Sequence, residues 1–447
     1  MQGKTARILI VVRDGSSGGH LDYGRFRMME EGYDVTVAAP AKKPLQTVVH
    51  YPQAIVEYPK KGTVFSYYER PGYIVQADAA FDDIDPTTYD GLLIPGGRGP
   101  EYLQTNKRCL EIVRYFVDSG KPIGAICHGP LLLVAAGVTG RRMSCVEQIE
   151  TDVIASGNTL VNVTDEAVFD GNIVTAFRIP YAYYAWIRGF LDLMQQRGFK
   201  RMEPAQPKGT RILIVAGDYA ASAQLQYAQY RMLEERFDVT LAAPVKKLLD
   251  TSIDMREENA EFDIERLGYW MQATATFEEI DPTAYDGLIV PGWRDAEYLR
   301  SIPRCVDLVR HFVEANKPIA SICRGPSLLL AAGVRGKRMT AIDVIRRDIT
   351  MSGNTYVEAE GAAVVDGNIA TVSSRPHYHL WMQAFLSMLE ERAAKVPPPP
   401  TNARKRSRWR RHLPRRGRIR LRRFGAVKQV GLPSKTLRDR GHRGTAA

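Results

Sequence analysis

Two short stretches carry the residue types that can do covalent chemistry. Residues 124–133 read GAICHGPLLL and set Cys127 directly before His128. Residues 320–329 read ASICRGPSLL, with Cys323 in the same place and Arg324 where the histidine stood. A thiolate is a nucleophile and a neighbouring imidazole can take the thiol proton, so a Cys–His pair suits covalent catalysis. Each cysteine closes a short apolar run and precedes Gly-Pro, which fits a tight strand-to-helix turn that lifts a nucleophile above a sheet. Gly129 allows close approach, and Pro130 suits a first helical turn. A thiol at a helix N-terminus gains from unpaired N–H groups and the helix dipole, which predicts a lowered pKa for Cys127. A packed core thiol remains a second reading of the same residues.

A glycine-rich stretch, PGGRGPEYL at 95–103, ends another apolar run. In a parallel sheet that turn can lie beside the cysteine turn. Its glycine N–H groups can then form an oxyanion hole, and Glu101 is a carboxylate that can orient a histidine to complete a Cys–His–Glu set. Cys109, Cys145 and Cys305 lack such neighbours and are expected to be structural. His377 and His379, in RPHYHLW, are expected to be surface or packing residues. No His/Cys spacing matches a zinc site, so no metal and no cofactor is expected.

The elements that position these residues are written twice. RILIVV at 7–12 returns as RILIVA at 211–216, and IDPTTYDGLLIPGG at 84–97 returns as IDPTAYDGLIVPGW at 280–293. The offset is 204 before residue 40 and 196 from about residue 84, so the first copy carries about eight extra residues near PQAIVEYPKKGTVFSYYE. A repeat of near 190 residues is a duplicated domain rather than a solenoid unit. Within each copy, continuous apolar runs alternate with helical periodicity, which predicts a doubly wound α/β sandwich with its site at the carboxyl ends of parallel strands. The expected boundaries are 1–200 for the first domain, 201–210 for a linker, 211–395 for the second domain, and 396–447 for a Pro-rich spacer and a basic disordered tail.

The chain of 447 residues has a net charge of +11. Residues 404–447 hold 17 Lys/Arg and one Asp, so the tail carries +16 and leaves −5 for the rest. Any contact with nucleic acid or an anionic surface therefore concerns the tail alone. There is no run of 18 apolar residues, and the first residues run into a strand without a signal-peptide pattern. Five cysteines do not make a disulfide framework. A cytoplasmic location with no membrane span is expected.

With AICHGP, LLIPGGRGPEYL, AAGVTGRRM, VDGNIAT and YAWIRGFLDLM, both copies resemble the ThiJ/PfpI family of the class I glutamine amidotransferase-like fold. The resemblance implies two tandem flavodoxin-like three-layer αβα domains with mainly parallel sheets. It implies that Cys127 is the nucleophile, His128 its histidine, and Gly96 and Gly97 the oxyanion turn. Glu101 matches a glutamate that in the peptidase branch reaches the histidine of a neighbouring unit, here the other half. In the second copy Cys323, Glu297 and Gly292 match, whereas Arg324 and Trp293 replace the histidine and the second glycine. A glutamate that family members carry in the loop after the first strand is absent, with Ser17 and Ala221 in its place and a loop histidine, His20, nearby.

The resemblance implies a cysteine-dependent hydrolase or lyase of stress defence, acting on reactive carbonyls as glutathione-independent glyoxalases and deglycases do. The alternatives are a PfpI-like intracellular cysteine peptidase and a non-catalytic binding or redox-sensing protein. The first half is expected to be the working site, on a small carbonyl substrate or a peptide. The two halves are expected to pack as a pseudo-dimer, with higher oligomers open.

Overall fold

A computed structural model describes residues 5–58, 62–163, 165–177, 182–202, 209–255, 264–359 and 361–395, without the side chains of 51–68, 254–255 and 264. Most of the linker, and the spacer and tail from 396 onward, lie outside the described residues.

The first half runs β1 (Arg7–Val11), α1 (Gly18–Glu30), β2 (Asp34–Ala39), β3 (Pro44–Tyr58), β4 (Gly62–Gln76), β5 (Ala79–Ala80), β6 (Gly91–Ile94), α2 (Gly99–Leu103) and α3 (Lys107–Asp118). It continues through β7 (Ile123–Ile126), α4 (Pro130–Ala135), β8 (Arg142–Met143), α5 (Glu150–Ala155), β9 (Thr159–Leu160), β10 (Ala167–Asp170), β11 (Ile173–Ala176) and α6 (Tyr183–Gln196). Seven strands form one sheet in the order β10-β11-β7-β6-β1-β2-β5. Only β10 is antiparallel to its neighbour. Strands β6 and β7 are buried at every residue, as a sheet covered on both faces requires. Helix α3 buries Cys109, Ile112, Val113 and Phe116, one stripe at helical spacing. Helix α6 buries Trp186, Phe190 and Met194, and a Cβ at Gly91 in β6 would stand 2.6 Å from the Phe190 ring.

The second half repeats this architecture, from strand Arg211–Val215 and helix Ser222–Glu234 to helix Tyr378–Lys395. Both halves are thus flavodoxin-like αβα domains. The extra residues of the first copy lengthen one hairpin: β3 and β4 have 15 residues each, against 8 and 9 in the strands Leu248–Met255 and Ile264–Gln272.

The described residues of both halves fall in one compact unit. Helix α1 packs against the helices Ser222–Glu234 and Tyr378–Lys395 of the second half. Eleven of its thirteen residues are buried, among them Asp22, Arg27 and Glu30. Those charges meet charges of the other copy: Arg27 Nε lies 3.0 Å from Glu234 Oε1, and Arg231 Nε lies 2.7 Å from Glu30 Oε1. Tyr23 and Tyr227 donate to Glu234 and Glu30 at 2.8 Å each. Among the described residues no helix is long and apolar enough to cross a membrane.

Candidate active site

Cys127 follows β7 directly with φ +62°, and Cys323 follows the strand Ile319–Ile322 with φ +59°. The left-handed region costs a non-glycine residue roughly 1–2 kcal/mol, so the surrounding chain must impose it. It does so in part through the Cys127 N–H, which donates to the Ala176 carbonyl at 3.0 Å. Close neighbours leave no room for side chains. A Cβ on Gly129 would stand 2.4 Å from the Ile94 carbonyl oxygen, and one on Gly96 would stand 2.6 Å from the Cys127 Cβ. The strained elbow predicted from the sequence is present in both copies.

His128 Nδ1 lies 3.3 Å from the Cys127 sulfur. On its other side, His128 Nε2 lies 3.4 Å from Glu101 Oε1. Glu101 therefore reaches the histidine of its own half, not that of the other. The reason is topological: β6 and β7 are adjacent, so the helix that follows β6 and the turn that follows β7 emerge side by side. Behind Glu101, Arg98 Nη1 holds the carboxylate at 2.7 Å while Arg98 Nε lies 2.7 Å from Glu69 Oε1. His50 Nε2 stands 3.5 Å from the same Glu69 oxygen. The sequence reading did not single out Arg98, Glu69 or His50. Arg98 lies three residues before Glu101 and was available as a local signal. Glu69 and His50 meet only through the register of the β3–β4 hairpin.

Burial reverses the expected direction of the thiol pKa. Cys127 and His128 are 6% and 5% exposed. Desolvation pushes the Cys127 thiol up to about 12, and the charges of Glu147 and Glu69 add to the rise. Hydrogen bonds from the backbone N–H groups of Gly97 and His128 pull the other way without overcoming it. Burial also lowers His128 to about 4, aided by the charges of His50 and Arg98 and opposed by Glu69. At neutral pH the pair is thiol and neutral imidazole. It is a general-base arrangement, not a preformed ion pair.

The His128 shift has a consequence for stability. An unfolded chain binds a proton at an ordinary histidine near 6.5, whereas folded His128 resists it until about 4. Stability therefore falls as the pH drops through that window, by about 2 kcal/mol between pH 7 and pH 5. Urea unfolding at the two pH values should show His128→Gln losing less stability than wild type by that amount; equal losses would refute the assignment.

The oxyanion donors also differ from expectation. The Gly96 N–H donates to His20 Nδ1 at 3.2 Å, so it is engaged. Gly97, with φ +89°, turns its N–H to the sulfur. The available donors are thus Gly97 and His128. His20 lies in the first turn of α1 rather than in a loop, fully buried against Tyr183 and Trp186.

The second copy keeps the elbow and a glutamate beside Arg324 but lacks the base and the free glycine donor. The Gly292 N–H donates to Gln224 Oε1 at 2.9 Å, and the Trp293 N–H donates to Asp295 Oδ1 at 3.0 Å. Neither is left for an oxyanion. The Trp293 side chain is fully buried in the same apolar cluster as Cys323. Arg324 lies 4.7 Å from the Trp293 ring centre and bonds Glu297 at 2.5 Å. A guanidinium on a carboxylate and an indole has no lone pair for a proton.

The second copy does contribute to the first site. The Tyr269 hydroxyl lies 3.1 Å from Ser17 Oγ and 3.4 Å from the Val48 carbonyl. Burial chiefly, and the nearby Cys127 charge in part, oppose ionisation of both Tyr269 and Tyr183. Cys109, Cys145 and Cys305 are buried free thiols raised by desolvation. His377 Nε2 accepts from the Gly361 N–H, and His379 packs beside Phe26. Among the described residues no group of three or more His, Cys, Asp or Glu is placed to hold a metal ion.

Comparison with known proteins agrees with this duplicated architecture. The model of the DJ-1/PfpI family matches residues 6–192 and again 210–388. The chain is 32% identical to Protein DJ-1 homolog D of Arabidopsis thaliana over 333 residues, 72% of this chain and 84% of that one. It is 35% identical over 190 residues to Deglycase PYRAB04690 of Pyrococcus abyssi, 42% of this chain and 99% of that one. It is 33% identical, with the same shares, to Deglycase PfpI of Pyrococcus furiosus. Fold, elbow and matches together place both halves of this chain in the DJ-1/PfpI family.

Proposed function

We propose that the first half is a cysteine-dependent enzyme acting on small reactive carbonyls, with Cys127 as nucleophile. One observation carries the reading. A base at 3.3 Å, a carboxylate behind it and two backbone donors converge on Cys127, whereas beside Cys323 the base is replaced by Arg324 and the N–H equivalent to that of Gly97 is donated to Asp295. The deep burial of Cys127 and His128 favours a small substrate over a peptide.

The chemistry follows from the placement. As an aldehyde carbon approaches, His128 takes the thiol proton and passes it to the aldehyde oxygen, giving a hemithioacetal. The N–H groups of Gly97 and His128 stabilise the oxygen while it carries charge. For a 1,2-dicarbonyl, the hydrogen on the thiol-bearing carbon then leaves as a proton and returns to the adjacent carbon while the hydroxyl proton moves to the former ketone oxygen, giving a 2-hydroxy thioester. Water hydrolyses the thioester to a 2-hydroxy acid and frees the thiol. One carbon is oxidised as its neighbour is reduced, so water is the only co-reactant. Glu101 stabilises the imidazolium between transfers, and base assistance of this kind contributes roughly 10²–10⁴-fold.

The test is conversion of methylglyoxal to lactate by the full chain without glutathione. Wild type should form lactate, and His128→Ala should lose roughly 10²–10⁴-fold in kcat/KM. A wild-type chain that forms no lactate overturns the proposal.

A further inference from the structure

A cleft of about 390 Å³ opens at the carboxyl ends of β1 and β2, beside α2. Its lining includes Arg13, Asp14, Ala41, Lys43, Tyr102 and Asn106. Parallel strands put it at the same end of the sheet as Cys127, yet it contains none of the residues assigned to that site.

The second copy shows how this place looks when closed. Gly217 stands where Arg13 does, Val245 replaces Ala41, and Ile302 replaces Asn106. There Tyr298, the counterpart of Tyr102, folds in over the glycine: a Cβ on Gly217 would stand 1.9 Å from the Tyr298 hydroxyl. In the first copy the Arg13 side chain replaces that glycine, and its guanidinium carbon lies 4.6 Å from the Tyr102 ring centre. Tyr102 is displaced outward, 59% exposed against 37% for Tyr298. Three substitutions thus act together: one props the tyrosine out, one removes two methyl groups from the rim, and one exchanges an apolar wall for an amide.

The open cleft has unspent polar capacity. Arg13 Nε is buried with no hydrogen-bond partner. The Asn106 side-chain oxygen accepts the Cys109 N–H, which leaves its amide hydrogens as its remaining donors. Lys43 and Asp14 pair at 2.7 Å and cancel, so Arg13 sets the net charge of the lining at +1. A planar guanidinium with an unmet donor, backed by an aromatic ring and an amide, matches a singly charged oxyanion.

We propose that the cleft formed by Arg13, Tyr102 and Asn106 is a binding site for a small oxyanion, carboxylate or phosphate, separate from the Cys127 site. The proposal does not rest on the carbonyl chemistry.

Calorimetric titration of the full chain with inorganic phosphate, and separately with lactate, at fixed ionic strength tests it and distinguishes the two anion classes. Wild type should bind at least one saturably below about 10 mM. Arg13→Gly, which restores the residue of the closed copy, should bind at least tenfold more weakly. Arg13→Gly should leave the rate of Cys127 alkylation by iodoacetamide unchanged. Ala41→Val narrows the rim without touching Arg13 and should also weaken binding; it decides the matter if Arg13→Gly does not fold. No saturable binding of either anion by wild type, or equal affinity in the variants, overturns the proposal.

Discussion

Cys127→Ala should abolish carbonyl turnover, with a fall of roughly 10³-fold or more, while Cys323→Ala stays within about twofold of wild type. The two cysteines share an elbow, and φ differs by only 3° between them. Their reactivity must therefore differ through what surrounds the elbow. At Cys127 the His128 Nδ1 is 3.3 Å away, and the Gly97 N–H points at the sulfur. At Cys323 the equivalent N–H belongs to Trp293 and is already donated to Asp295. The equivalent side chain is Arg324, which has no proton-accepting atom. Loss of a base and loss of an oxyanion donor each cost about 10²-fold or more, so the second copy starts several powers of ten behind. Turnover and lactate formation by the two single variants measure this directly. Equal losses in the two would mean that the elbow alone sets activity.

The elbow and the duplication were legible because both are local. Five or six consecutive residues fix a strand, a cysteine and a Gly-Pro helix start, and two offsets fix the repeat. Gly96 and Gly97 were legible as a turn but not in their separate duties. Which N–H is available depends on His20, which arrives from α1, 76 residues earlier in the chain. The direction of the thiol pKa was misread for a related reason. A helix N-terminus can be seen in sequence, but the desolvation that outweighs it comes from residues brought over Cys127 by folding, Tyr183 and Tyr269 among them. The burial of Asp22, Arg27 and Glu30 was invisible as well. On its own domain α1 looks like a helix with a polar side, and only the second copy covers that side.

That covered face supports the other large effect. Arg27→Ala should destabilise the folded chain by about 3–5 kcal/mol, and Glu234→Ala by a similar amount. The two side chains are each about 1% exposed, and Glu234 accepts both the Arg27 Nε and the Tyr23 hydroxyl. Removing either charge unbalances a buried network where water cannot reach it, although Arg27 keeps Glu31 at 2.5 Å and Glu234 keeps the Tyr23 hydroxyl and the charge of Arg231. The burial that raises the carboxyl of Glu234 is outweighed by the charges of Arg27 and Arg231, which together hold it below the usual carboxylate value. Replacing both partners with apolar residues keeps the net charge of the buried network unchanged, so Arg27→Met combined with Glu234→Leu should cost less than the sum of the single changes. Urea unfolding of the two alanine variants, the Met and Leu single variants and the Met–Leu pair measures both effects. Tyr269 enters the first site across this same interface, so Arg27→Ala should also speed alkylation of Cys127 by iodoacetamide. A loss under about 1 kcal/mol would show that water reaches the pair and that this interface is not dry.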